Sequence, residues 1–266
     1  MFGRLTPIVK YILIINVIIF LVQSLLNLPF SQLFGLRVVF SNEFAPVQFL
    51  TYMWLHANFS HLLGNMFAVF VFGPLLEQTF GGKNFLIFYL VCGIGAGILF
   101  GGANFTEKYQ LKVDTESFMA DPTPEKFSIY ISEYKSRRFN LQVLAELSDG
   151  YYENPNEPDY RSRTINAVSQ IFEITTNVPM VGASGAVYGI LMAFALLFPN
   201  LQLFLLLPPI PIRAKYLVFI YGAIELYSEI NRTEGDNVAH LAHLGGMLIA
   251  FVLIKIWKNN GTIKYY

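Results

Sequence analysis

The chain carries four histidines, His56, His61, His240 and His243, and all four fall in two short segments that each open an apolar run. A third run opens with Gly182-Ala183-Ser184-Gly185-Ala186-Val187-Tyr188-Gly189. An imidazole accepts a proton near neutral pH, so a histidine beside an uncrowded serine suits nucleophilic attack on a carbonyl. Ser184 has glycines on both sides at an expected helix start, where backbone N–H groups lack intrahelical partners and can bind an oxyanion. Gly185 and Gly189 also make a GxxxG packing face, which taken alone is the commoner meaning in membrane helices. His61 and Asn65 are four residues apart, hence on one helical face, and both donate hydrogen bonds. Together they suit an oxyanion hole; singly, either could satisfy a backbone carbonyl. His240 and His243, three apart, could both ligate zinc, but HExxH is absent and a metal-activated water would leave Ser184 without a role. No metal and no cofactor is expected.

These residues need a scaffold, and the composition says where it lies. Of 266 residues, 54% are hydrophobic and 14% charged, and the mean hydropathy is +0.48, which belongs to a membrane protein. The formal net charge is zero, so no basic field recruits nucleic acid, which is excluded as a partner. The single cysteine, Cys92, sits in an apolar run and forms no intramolecular disulfide. At about 20 residues per crossing, six segments qualify as spans: 8–28, 61–80, 84–100, 184–198, 212–227 and 238–257. The first follows Arg4 and Lys10 but is long enough to span and lacks a cleavage pattern, so it reads as an uncleaved helix. The fifth is set off by Pro208, Pro209 and Pro211 from the apolar stretch Leu201 to Leu207.

An even number of spans puts both termini on one side. Short loops on that side hold Arg4, Lys10, Lys83, Arg213, Lys215, Lys255, Lys258 and Lys264, against Arg37 and Arg232 opposite, which makes it the cytoplasm. The second, fourth and sixth spans then all start at the outer side. His243 falls roughly 8 Å below the start of its helix, Ser184 is at the top of its own, and Gly246 with Ala250 would allow the two helices to approach closely. Residues 104–179 break the apolar pattern and hold 12 of the 18 acidic residues. They read as a soluble, outward-facing insertion of two or three helices, with helix signals at Thr123-Pro124-Glu125 and from Asp159 to Ile174. The expected organisation is thus 1–103, 104–179 and 180–266, with the first and last parts forming the membrane core.

At this point the three motifs, His-Ala-Asn-Phe-Ser-His-Leu-Leu-Gly-Asn from His56, Gly-Ala-Ser-Gly-Ala-Val-Tyr-Gly from Gly182 and Ala-His-Leu-Gly-Gly from Ala242, resemble the three signatures of the rhomboid family. The resemblance implies an all-α bundle of six transmembrane helices and an intramembrane serine endopeptidase that cleaves single-span or other transmembrane substrates. It makes Ser184 the nucleophile and His243 its base, with His61 and Asn65 as side-chain donors to the oxyanion. Tyr188 would pack on the His243 ring, Gly182 and Gly185 would flank the serine, Gly246 would keep the helices close, and His240 would be a pocket residue. The family pattern has no acid. Glu77 lies about 24 Å along its helix from His61, and although depth alone does not set Glu225 aside, a Ser-His dyad is the expectation. The size and simple topology suggest a bacterial plasma membrane.

The sequence departs from the family pattern in the length of the third loop and in Val47-Gln48-Phe49-Leu50-Thr51, where a Trp-Arg pair is often found. A catalytically inactive family member that binds membrane clients is the alternative function, but such members typically lose the serine or the histidine and both are here. A transporter fits poorly, because the polar motifs gather at the outer helix ends and no two halves resemble each other.

Overall fold

Apolar residues dominate the first helix, α1 (Pro7–Leu25), which starts with proline in its first turn, where the missing N–H is not needed. The chain continues through α2 (Phe30–Phe34), α3 (Gln48–Thr51), a 3-10 turn at Tyr52–Trp54, α4 (Phe59–Phe80), α5 (Gly82–Ala103), α6 (Phe105–Ala120), α7 (Pro124–Glu133), α8 (Leu141–Glu153) and α9 (Pro158–Thr176). It ends with α10 (Ser184–Leu197), strands β1 (Gln202–Phe204) and β2 (Pro211–Arg213), α11 (Ala214–Ile230) and α12 (His240–Asn259). This computed structural model describes residues 5–134, 139–204, 210–231, 236 and 238–263. Arg4, Arg232 and Lys264, counted in the charge argument, lie outside the described residues, as do Pro208 and Pro209.

Among the described residues, α1, α4, α5 and α12 are long and apolar enough to cross a membrane, and α10 is a shorter apolar helix. The chain is a multi-pass membrane protein. Its main core draws on α1, α4, α5, α10 and α12 through residues such as Val69, Phe88, Cys92, Ile190, Phe194 and Ile254. A second core, with Phe118, Phe127, Tyr130, Tyr151, Val168 and Ile171 at its centre, joins α6 to α9. Four helices stand where two or three were expected. Thr123 caps α7 by accepting from the Lys126 N–H, and α9 follows the apolar spacing, whereas α6 has little apolar periodicity to announce it.

The described residues are predominantly helical, with a short antiparallel pair of β1 and β2, in register at Leu203 and Ile212. Pro211 opens β2, a position where its missing N–H is tolerated. The fifth span, expected from Ile212, is a strand up to Arg213 and a helix only from Ala214.

Three contacts set the polarity of the bundle. The N–H groups of Ile8 and Val9 donate to Glu77 at 3.0 and 2.9 Å, so a buried carboxylate at the end of α4 closes the positive end of α1. Phe72 of α4 packs on Phe194 of α10, in the second half of each helix, and an added Cβ on Gly189 of α10 would meet the Gly246 carbonyl of α12 at 3.3 Å. Helices α4, α10 and α12 therefore run parallel, with their N-terminal ends together and away from the start of α1.

Candidate active site

At those N-terminal ends, Ser184 is the first residue of α10 and His243 the fourth of α12. The imidazole Nε2 of His243 stands 2.8 Å from the Ser184 hydroxyl. What brings the helices so close is glycine: a Cβ on Gly246 would lie 1.9 Å from the Gly185 carbonyl oxygen, and one on Gly185 would lie 2.5 Å from Ala96. The ring of Tyr188, one turn along α10, stacks on His243 with centroids 4.3 Å apart and planes 7° from parallel.

The approach to Ser184 is shaped by the backbone before it. Gly182 has φ +133°, a conformation closed to side chains, and a Cβ there would strike the His61 ring at 2.7 Å. Its N–H donates to the Tyr52 carbonyl at 3.0 Å, Leu36 and Met180 exchange backbone hydrogen bonds, and the Tyr52 hydroxyl donates to Gly93 O at 2.6 Å. His61 is fixed by the α4 cap, in which the Asn58 side chain accepts from its N–H at 2.9 Å. Asn65, one turn on, is buried with its Nδ2 donor unpaired. A buried unpaired donor is costly unless something comes to accept from it.

Two features go beyond what the sequence assigned. His56 is fully buried with its ring edge-on to His61 at 5.1 Å, and burial, together with the nearby His61, lowers its pKa to about 3. The larger one is Glu225 of α11. It is buried; its Oε1 accepts from the Tyr188 hydroxyl, and its Oε2 lies 2.5 Å from His240 Nδ1 and 2.9 Å from His243 Nδ1. The second nitrogen of His240 contacts Asp236 at 2.9 Å. His240 is thus a buried bridge between two carboxylates, not a residue lining an open pocket. Nothing in the periodicity of α11 singles out Glu225, since its meeting with His243 depends on how α11 is rotated after the β1–β2 pair. The nearness of Glu225, His240 and His243 would also permit a shared metal, although two zinc ligands at about 2.0 Å from the ion stand roughly 3.3 Å apart, wider than the 2.5 Å contact here.

A hydroxyl bonded to an imidazole whose far nitrogen faces a carboxylate, beside an unpaired amide donor, can carry out acyl transfer. The chain belongs to the rhomboid family, whose Rhomboid domain model matches residues 43–110 and 162–259. Three similar proteins illustrate the range. "RHOMBOID-like protein 6, mitochondrial" of Arabidopsis thaliana is 46% identical over 63 residues, 24% of this chain and 20% of that protein. "Rhomboid-like protein 11, chloroplastic", also of Arabidopsis thaliana, is 32% identical over 91 residues, 34% of this chain and 31% of that protein. "Putative rhomboid protease YdcA" of Bacillus subtilis (strain 168) is 33% identical over 99 residues, 35% of this chain and 48% of that protein. The matches thus span from a fifth to about half of these relatives' own lengths.

Proposed function

We propose that this chain is a serine endopeptidase that cuts transmembrane protein substrates within the bilayer, with Ser184 as nucleophile and His243 as general base. The observation that carries the reading is the 2.8 Å contact of Ser184 Oγ with His243 Nε2 beneath the stacked Tyr188 ring. As Oγ bonds to the scissile carbonyl carbon, its proton passes to Nε2 and the carbonyl π pair moves onto oxygen. His61, Asn65 and the Ser184 backbone N–H stabilise that oxyanion. When the C–N bond breaks, the leaving amine takes the proton from His243 and an ester remains on Ser184. Water then attacks the ester as His243 takes its proton, and that proton returns to Oγ when the acid product leaves.

The proposed topology has six spans, α1, α4, α5, α10, α11 and α12, with 1–103 and 180–266 as the membrane core. Residues 104–179 form an extramembrane elaboration on the Ser184 side. Its separate apolar core and the family model's omission of residues 111–161 support this division. The short-loop charges favour cytoplasmic termini and a site opening outward, in a bacterial plasma membrane, though two of the relatives carry organellar names. An apolar cavity of about 620 Å³ between α10, α11 and α12, lined by Met192, Phe219, Leu226 and Phe251 among others, offers surroundings suited to an apolar segment.

The test is labelling by a fluorophosphonate, which reacts with activated serines. Wild type should be modified at Ser184, and Ser184→Ala and His243→Ala should not react. A folded wild-type protein that resists the probe would overturn the proposal.

A further inference from the structure

A serine and a histidine alone leave open which imidazole nitrogen carries the proton. Here three helices answer that question at one carboxylate. Glu225 reaches from α11 between Tyr188 of α10 and the two histidines of α12. From these contacts we infer that Glu225 is a positioning residue of the hydrolytic centre: it holds the His243 proton on Nδ1, presents Nε2 to Ser184 as an acceptor, and balances the imidazolium that forms during attack. The inference rests on the serine-protease reading above and adds to it an acid that the expected dyad lacks.

The donor chemistry supports the assignment. A carboxylate only accepts, so a ring nitrogen facing it carries hydrogen. With Nδ1 protonated, the free pair of His243 is on Nε2, the atom 2.8 Å from the Ser184 hydroxyl. The Glu225 contact with Nδ1 is close but off the N–H axis. Catalytic hydrogen bonds are often poorly aligned before substrate arrives and tighten afterwards.

The surroundings keep Glu225 ionised and in place. Oε1 takes the Tyr188 hydroxyl and Oε2 takes His240 Nδ1, so a buried charge that would otherwise be expensive is well satisfied. His240, with Glu225 on one nitrogen and Asp236 on the other, donates from both. Two carboxylates and one imidazolium leave one negative charge facing His243. The remaining groups around His243 are Ser184 and Tyr188 from α10 and, through its electrostatic influence, His61 from α4. Glu225 also steers the ring indirectly, because the hydroxyl it accepts belongs to the tyrosine stacked on that ring. A carboxylate placed only to tie helices together would not need to meet the nitrogen opposite the serine.

The experiment compares full-length wild type, Glu225→Gln and Glu225→Asp in detergent or liposomes, by thermal midpoint, rate of fluorophosphonate labelling, and kcat and KM on a transmembrane peptide. Glu225→Gln keeps shape and loses charge. It should fold, keep KM within about threefold, and lose on the order of 10⁴-fold in kcat, with a matching fall in labelling rate, as when an orienting acid is neutralised elsewhere. Glu225→Asp should recover part of that loss. A folded Glu225→Gln with wild-type kcat overturns the inference while the serine mechanism stands; failure of wild type to label at Ser184 overturns the serine mechanism itself. Should Glu225→Gln not fold, nitrogen-15 NMR of histidine-labelled wild type decides, with the His243 signals identified by their loss in His243→Ala. A proton on Nδ1 is expected, and a proton on Nε2 overturns the inference.

Discussion

Gly246→Ala tests how tightly the α10–α12 contact sets the chemistry. The new methyl would fall 1.9 Å from the Gly185 carbonyl oxygen and 2.8 Å from its carbon. Both are backbone atoms that no side-chain rotation can move aside. Carbon and oxygen in ordinary contact stand at about 3.3 Å or more, so the helices must separate or slide by more than about 1 Å. The serine–histidine contact, 2.8 Å at rest, would then open past hydrogen-bond reach. A displacement of about 1 Å at reacting groups costs on the order of 10²-fold in rate, and overpacking a well-filled interface costs about 1–3 kcal/mol. Gly246→Ala should therefore lose at least about 10²-fold in kcat/KM with a lower thermal midpoint. Gly101→Ala, whose methyl meets nothing within 4 Å, should match wild type in both. Near wild-type turnover in Gly246→Ala would show that the helix contact does not hold the pair in register.

His61→Ala and Asn65→Ala should each lower kcat by about 10²- to 10³-fold, the usual effect of removing one oxyanion donor; an Asn65→Ala enzyme equal to wild type in steady-state kinetics would remove that residue from the site. The pKa of His56 falls from 6.5 unfolded to about 3 folded, so only the unfolded chain gains a proton in that window. Stability should fall as pH drops from about 6.5 towards 3, and thermal melts of His56→Phe should show a shallower decline; identical slopes would refute this. Replacing 104–179 with a short Gly/Ser linker should leave Ser184 labelling largely intact while altering the rate or choice of substrate, and loss of labelling in a folded variant would mean the segment helps to build the site. Chelation by EDTA should leave cleavage unchanged, whereas inactivation restored by zinc would favour a metal at Glu225, His240 and His243.

Much of this site could be read from local spacing. His61 and Asn65 are one turn apart on any helix, and Ser184 among small residues reads the same before and after folding. The depth of His243 followed from where its apolar run begins, and the close approach at Gly246 from its lack of a side chain. Glu225 could not be read this way. Its position on α11 was known, but its direction depends on the rotation of a helix that begins at Ala214, after a strand pair that the prolines disguised. Glu77, set aside as remote from His61, has its own task in closing α1, which needs the α1–α4 packing to be known. His56 was named only as part of the motif that opens the second span, and its full burial edge-on to His61 depends on how the preceding loop packs rather than on any local pattern. The helices α6 and α8 were missed for a related reason: they bury their few apolar residues against α7 and α9, and the rest of each segment announces little beyond its polarity.

The central claim is tested most directly by cleavage in a purified system. Wild type and Ser184→Ala would be reconstituted separately into liposomes with a tagged single-span membrane protein, and the fragments mapped by mass spectrometry. The account predicts a cut within or at the edge of the substrate's apolar segment by wild type and none by Ser184→Ala. Equal cleavage by both would contradict it.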